Sequence, residues 1–202
     1  MQTQAAILSH PPLSRAIVSR TGLLADALLV CAGTGLVALA AQISIHLGFT
    51  PVPITAQTFA VVLVGASLGA VRGTASLLLY LLIGVAGAPV YADHKHGWEV
   101  FSGSDGGYIV GFVLAAALTG VLAERGWDRR VSTAVSVMLT GNVVIYLCGL
   151  PWLHHELGVT WAKTLEYGLY PFVAGDVIKL YLAALALPGA WRLVERVKRD
   201  SP

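Results

Sequence analysis

The 202-residue chain is 56% hydrophobic and only 12% charged, with a mean hydropathy of +0.73, whereas a soluble domain carries about 25% charged residues. That composition excludes a water-soluble globular protein and identifies an integral membrane protein. The net charge of +2 points to no nucleic-acid partner, and with no Gly-Lys dipeptide anywhere there is no Walker A loop to hydrolyse ATP.

In chain order, residues 1–22 form a short N-terminal segment with Arg15 and Arg20. A six-helix membrane domain is expected over 23–194, followed by a basic tail at 195–202. Apolar runs near 23–47, 55–71, 73–92, 108–123, 131–153 and 170–192 read as six spans, the length needed being about 20 residues for ~30 Å of hydrocarbon. The first run imitates a secretory signal, with arginines before it and Ala38-Leu39-Ala40 inside it. It outlasts the ~7 to 15 apolar residues of such a signal, and further spans follow. Ala27, Cys31 and Gly35 recur on this run as small residues four apart, a face that lets helices approach closely in lipid. Spacing leaves open whether their partner lies in the bundle or in another subunit.

Between spans one and two, Gly48-Phe-Thr-Pro-Val-Pro-Ile-Thr55 has no charge and two prolines, which predicts an ordered extended loop. Span two is short and interrupted by Gln57 and Thr58. Its Gly65-Ala-Ser-Leu-Gly69 matches a nucleophile elbow in letters only, because that chemistry needs a strand-turn-helix corner with a histidine and an acid nearby. Small-residue packing is the expectation there. Ala92 to Gly107 is a polar outer loop, long enough to serve as a lid. Asp93-His94-Lys95-His96, like His154-His155 further on, has the residue types of metal ligands but no regular spacing; solvated loop histidines are the simpler account.

Gly106-Gly107-Tyr108 opens span four. Glycines there suit close backbone approach and free N–H groups suit an anion, although the ordinary start of a helix accounts for them equally. After span five, Trp161, Leu165 and Leu169 recur at helical spacing and predict a short interfacial helix, with Trp152, Trp161 and Tyr167 placed as an aromatic belt. Cys31 and Cys148 both fall inside spans, so no disulfide framework is expected.

The charges fix an orientation. Arg15, Arg20, Arg72, Arg125, Arg129, Arg130, Arg192, Arg196, Lys198 and Arg199 fall on one side, and only Lys95 and Lys163 on the other. By the positive-inside rule both termini are cytoplasmic.

Asp176 and Lys179 break an otherwise lipid-compatible span. Ionised residues at bilayer depth are costly and ordinarily face a bundle interior or cavity with a partner, and a spacing of three puts both on one helix face. Lys179 lies eight residues beyond Pro171, about 12 Å deep, and Asn142 ten residues before Trp152, about 15 Å, at 1.5 Å per residue. An anion, a cation and an amide in one layer suit a small molecule with amide-like N–H donors and a carboxylate. A helix-to-helix ion pair that only fixes packing is the alternative.

With these residues in view, the chain resembles the BioY family, the biotin-specific substrate-binding (S) components of energy-coupling factor (ECF) transporters. The resemblance runs from about Leu24 to Trp191. It is carried by Ala41-Gln-Ile-Ser-Ile45, Pro51-Val-Pro-Ile-Thr-Ala-Gln-Thr-Phe59, Leu77-Leu-Leu-Tyr-Leu-Leu-Ile-Gly84, Gly87-Ala-Pro-Val-Tyr91, Gly106-Gly-Tyr108 and Gly175-Asp-Val-Ile-Lys179. It implies an all-α, six-helix S component in the prokaryotic cytoplasmic membrane that captures biotin from outside and toppling in the membrane to release it. It also implies docking on a transmembrane coupling subunit driven by two ATPase subunits, with no enzyme activity and no cofactor beyond the ligand biotin.

Carried over by motif, Asp176, Lys179, Tyr108 and the backbone around Gly107 are the expected biotin ligands. Thr55 and Gln57 belong to the lid and the top of span two, Tyr91 ends a matching run, and Asn142 joins the set by depth. Asp176 is expected to accept ureido N–H bonds while Lys179 meets a biotin oxygen. Ala27, Cys31 and Gly35 are the candidate docking face, although the family's coupling helices often show Ala-x-x-x-Ala. Before Gly-Gly-Tyr this chain has Ser104-Asp105, where the family often has Pro-Thr. Rival expectations are an S component for another vitamin or a metal ion, for which the start Met1-Gln2-Thr3 lacks a Met-His segment, and a membrane scaffold held by the charge pair. An intramembrane enzyme using Ser67 or Asp176 needs both at one depth, and they lie near opposite sides.

Overall fold

The computed structural model describes residues 10–17 and 22–200; Arg20 and Met1-Gln2-Thr3 lie outside them. A short α1 (Leu13–Ile17), which the apolar pattern does not announce, precedes α2 (Leu23–Ala41). The chain continues through strands β1 (Ser44–Ile45) and β2 (Ile54–Thr55), α3 (Gln57–Leu68), α4 (Ala70–Val85), α5 (Trp98–Ser102), α6 (Gly106–Glu124), α7 (Val131–Leu157), α8 (Trp161–Gly168) and α9 (Tyr170–Asp200). Four of these, α2, α6, α7 and α9, are long and apolar enough to cross a membrane. The protein is therefore an all-helical, multi-pass membrane protein.

The second and third expected spans are shorter than the apolar runs suggest. The helix α3 has 12 residues and α4 has 16, about 18 and 24 Å at 1.5 Å per residue. Gly69 sets the boundary between them. Its φ of 83° is readily reached only without a Cβ, so the chain reverses in one residue, with α3 ending before it and α4 starting after it. Gln57 Nε2 at the start of α3 donates to Tyr80 Oη near the far end of α4, at 2.8 Å, so the two helices run antiparallel. Span one likewise stops at Ala41, short of residue 47, because the backbone then turns into β1.

The proline-containing segment is more ordered than a loop. Strands β1 and β2 pair antiparallel, Ser44 opposite Thr55 and Ile45 opposite Ile54. Thr50 Oγ1 donates to Tyr167 O at 2.7 Å, pinning the hairpin tip to α8. The interfacial helix expected after span five is α8 itself, and Thr160 caps it by accepting from Lys163 N.

The central helix is α6. Of its spanning window 61% is buried, against 22 to 33% for the other three long helices, and it packs on α3, α4 and α7. Small residues allow this, because backbones in lipid gain stability by close approach. A Cβ at Gly65 of α3 would lie 2.6 Å from Ala116 O of α6, so the Gly-x-Ser-x-Gly letters mark a helix contact. Among the described residues no group of three or more His, Cys, Asp or Glu side chains is placed to hold a metal ion.

Candidate functional site

The helix α9 projects Phe172, Asp176 and Lys179 from one face at helical spacings of four and three. Lys179 Nζ lies 3.1 Å from Asp176 Oδ1 and donates to Thr58 Oγ1 of α3 at 3.2 Å. Thr58 in turn donates to Asp176 Oδ1 at 3.3 Å, and Tyr146 Oη of α7 donates to Asp176 Oδ2. Three helices therefore converge on one carboxylate. Its side chain is 8% exposed and that of Lys179 is 18%, so Asp176 sits behind and the ammonium stands in front. An ammonium has three protons to donate, and these two partners leave one.

A cavity adjoins the ammonium. Lys179, Thr58, Thr55 and Gln57 line it on the polar side. Tyr80, Tyr91, Tyr108, Phe112 and Phe172 supply aromatic walls, and about 530 Å³ lies between the walls with the mouth included. Asp105, at the start of α6, lines it too.

The walls are fixed by their own bonds. Tyr80 and Tyr91 meet edge to face at 5.4 Å, and Tyr91 Oη donates to Leu81 O at 2.8 Å. Tyr108 Oη donates to Gly168 O at 3.0 Å. Thr55 Oγ1 donates to Gln57 Oε1 at 3.0 Å, so Gln57, held also by Tyr80, is not free to rotate. A surface of this kind, mostly apolar with a few fixed polar groups, is the usual chemistry of a small-molecule site.

Five of the residues expected from sequence thus meet in one cavity: Thr55, Gln57, Tyr91, Tyr108 and Lys179. Asp176 joins them through Lys179 and Thr58 without lining the cavity. Asn142 lies beside a neighbouring crevice shared with Thr58 and Lys179, and no hydrogen bond joins it to the pair among the described residues. Gly107 is at the α6–α7 contact, where a Cβ would lie 2.7 Å from Cys148 O and closer still to Trp152. Ala27, Cys31 and Gly35 are all exposed on the outward face of α2.

Sequence reasoning gave no site role to Tyr146, Tyr80, Phe112 or Phe172. A tyrosine or phenylalanine in an apolar helix carries no signal separating a cavity wall from a packed core. Tyr146, four residues after Asn142 and so on its helical face, was the one that spacing could have found.

The lid charges form a second cluster. Asp93 Oδ1 accepts from Ser44 Oγ at 2.5 Å, while Oδ2 lies 2.8 Å from His46 Nε2 and 3.7 Å from Lys95 Nζ. The Ser44 bond above all, with help from His46 and Lys95 and against partial burial, holds this carboxyl below its ordinary range. Gln42 adds two ties, donating to Tyr91 O at 3.1 Å and accepting from His94 N at 3.0 Å. The hairpin is thereby clasped to the outer loop beside the cavity.

Comparison with known proteins gives a consistent set of likenesses. The sequence model of the BioY family matches residues 9–196. The chain is 38% identical over 157 residues to the biotin transporter BioY of Rhizobium etli, covering 74% of this chain and 83% of that protein. It is 39% identical over 155 residues to the biotin transporter BioY of Thermotoga maritima, covering 75% and 87%. In fold it is similar to the crystal structure of the S-component for biotin from an ECF-type ABC transporter, with a TM-score of 0.71 at 24% identity over 88% of this chain and 93% of that one.

Proposed function

Because this chain belongs to the BioY family, we propose that it captures biotin at the cavity and takes it up across the cytoplasmic membrane as the substrate-binding component of an ECF-type transporter. The observation that carries this reading is the Lys179 ammonium, held by Asp176 and Thr58 and entering a cavity otherwise walled by aromatic side chains. Biotin matches that chemistry. Its thioether ring is apolar, its ureido group offers two N–H donors and a carbonyl, and its valerate is an anion. Lys179 donates to a biotin oxygen, and a charge-assisted bond of that kind is roughly twice as strong as a neutral one. Asp176 keeps the ammonium charged and aimed, and Gln57 and Thr55 present amide and hydroxyl groups beside it.

The remaining architecture follows from charge and length. Six crossings, with α3 and α4 as a short antiparallel pair and both termini cytoplasmic, satisfy the positive-inside distribution. Residues 23–194 then make one substrate-binding unit. As the ECF-type resemblance implies, a membrane coupling subunit and two ATPase subunits complete the transporter, in keeping with a chain that carries no Walker A loop of its own. The exposed small-residue face at Ala27, Cys31 and Gly35 is where the coupling subunit docks.

The test is mass spectrometry of small molecules released from the purified protein, with equilibrium binding of labelled biotin in detergent. The expected result is co-purified biotin and saturable binding that falls in Lys179→Met. A different vitamin in the released fraction, with no binding of added biotin, would replace this substrate.

A further inference from the structure

The cavity holds one charge that the biotin scheme above does not use. Asp105 lines it together with Lys179, Tyr80, Tyr91 and Tyr108. It stands at the N-cap of α6 yet makes no side-chain capping bond, and its carboxylate has no hydrogen-bond or ion-pair partner among the described residues. The groups facing it are Tyr80 of α4 and Tyr108 of α6, Tyr91, Asp93 and Lys95 of the outer loop and His46 of the hairpin, while α5 presents Val100 and α9 presents Lys179. The two nearby basic side chains are already committed, because His46 and Lys95 contact Asp93.

Resting on biotin as the occupant, we propose that Asp105 is a specificity-determining residue at the mouth of the cavity. As a carboxylate it opposes the carboxylate of biotin; protonated, it donates a hydrogen bond to that group, so capture of the anionic vitamin takes up one proton from solvent. The mouth position follows from the chain, since Asp105 joins the outer loop to α6 while Lys179 lies about 12 Å down α9 at the helical rise. Burial, with a smaller push from Asp93 against the pull of Lys95 and His46, raises its carboxyl to about 6. A ligand anion raises it further, because like charges disfavour ionisation. Affinity is therefore full below that value and falls as pH rises through it, levelling once Asp105 is ionised in the complex as well.

The experiment measures the dissociation constants of biotin and of its uncharged methyl ester from about pH 5.5 to about pH 7.5, for the wild type and Asp105→Asn. If the anion moves the carboxyl by one unit, biotin binds about sixfold more weakly at the upper pH, approaching tenfold only well above both titrations. The ester shows no such loss in the wild type, a comparison that needs no variant. Asp105→Asn binds biotin independently of pH, and at the upper pH as tightly as the wild type at the lower. Binding of biotin by the wild type that ignores pH, a slope that survives in Asp105→Asn, or weaker binding by that variant at the upper pH would each overturn this role and leave biotin capture standing. Wild-type protein that binds no biotin at any pH would overturn the capture reading, and this inference with it.

Discussion

Removing the Lys179 charge tests how far the pair is one unit. In Lys179→Met the carboxylate of Asp176 loses one charge-assisted bond, of order 1.5 to 3 kcal/mol, but keeps Thr58 and Tyr146 as donors. The loss should therefore fall below the ~3 to 5 kcal/mol of an orphaned buried charge, at about 2 kcal/mol. Asp176→Asn leaves the ammonium with Thr58 and the cavity, and about 2 kcal/mol is expected again for the same bond. In the double variant that bond is lost only once, so the combined loss stays near 2 kcal/mol instead of ~4, a coupling of about 2 kcal/mol. Unfolding in detergent reads each value. A domain of this size shifts roughly 2 to 4 °C per kcal/mol, so each single variant should melt about 4 to 8 °C lower. Biotin binding should fall in all three proteins, because none presents a correctly held ammonium. Losses that simply add, or unchanged affinity in Lys179→Met, would refute the pair as a coupled, ligand-facing unit.

Further outcomes follow from other parts of the molecule. Gly65→Val places side-chain atoms against Ala116 of α6 and should destabilise by more than ~3 kcal/mol, the upper range for overpacking; near wild-type melting would contradict the close α3–α6 contact. The lowered carboxyl of Asp93 means that its clasp contributes above the ordinary value of 3.8 and is lost only as pH falls through the lower folded value. Hydrogen-exchange protection of the β1–β2 hairpin should thus hold from about pH 8 to about pH 5, the ionised range of a carboxyl lowered below its ordinary value, whereas Asp93→Asn should lose it at every pH. An apolar thiol reagent should label Cys31 in the isolated protein and fail to do so after assembly with the coupling subunit; equal labelling in both states would move the docking face elsewhere.

Much of this protein is legible in its sequence, for physical reasons that can be located residue by residue. A charge inside an apolar run is expensive wherever it lies, so Asp176 and Lys179 stand out before any fold is known. The long apolar helices, the interfacial helix α8 and the small-residue contact at Gly65 likewise follow from local length and composition. Helix ends were less legible. A single residue, Gly69, decides where α3 stops and α4 starts, and the apolar run continues through it.

What the chain cannot express in one dimension is which neighbours its polar groups find. Thr58 and Tyr146 bond to Asp176 across 118 and 30 residues of chain, and Gln57 bonds to Tyr80 only because α3 and α4 fold back on each other. Tertiary structure alone turned Asp176 to the back of the pair and Lys179 to the front, and put Gly107 in a helix contact. It also brought the unpartnered Asp105 into the cavity. Composition sets what each helix must bury or expose, because lipid penalises any polar group according to its type. Only packing in three dimensions settles the partners, because hydrogen bonds act over about 3 Å between groups that the sequence holds far apart.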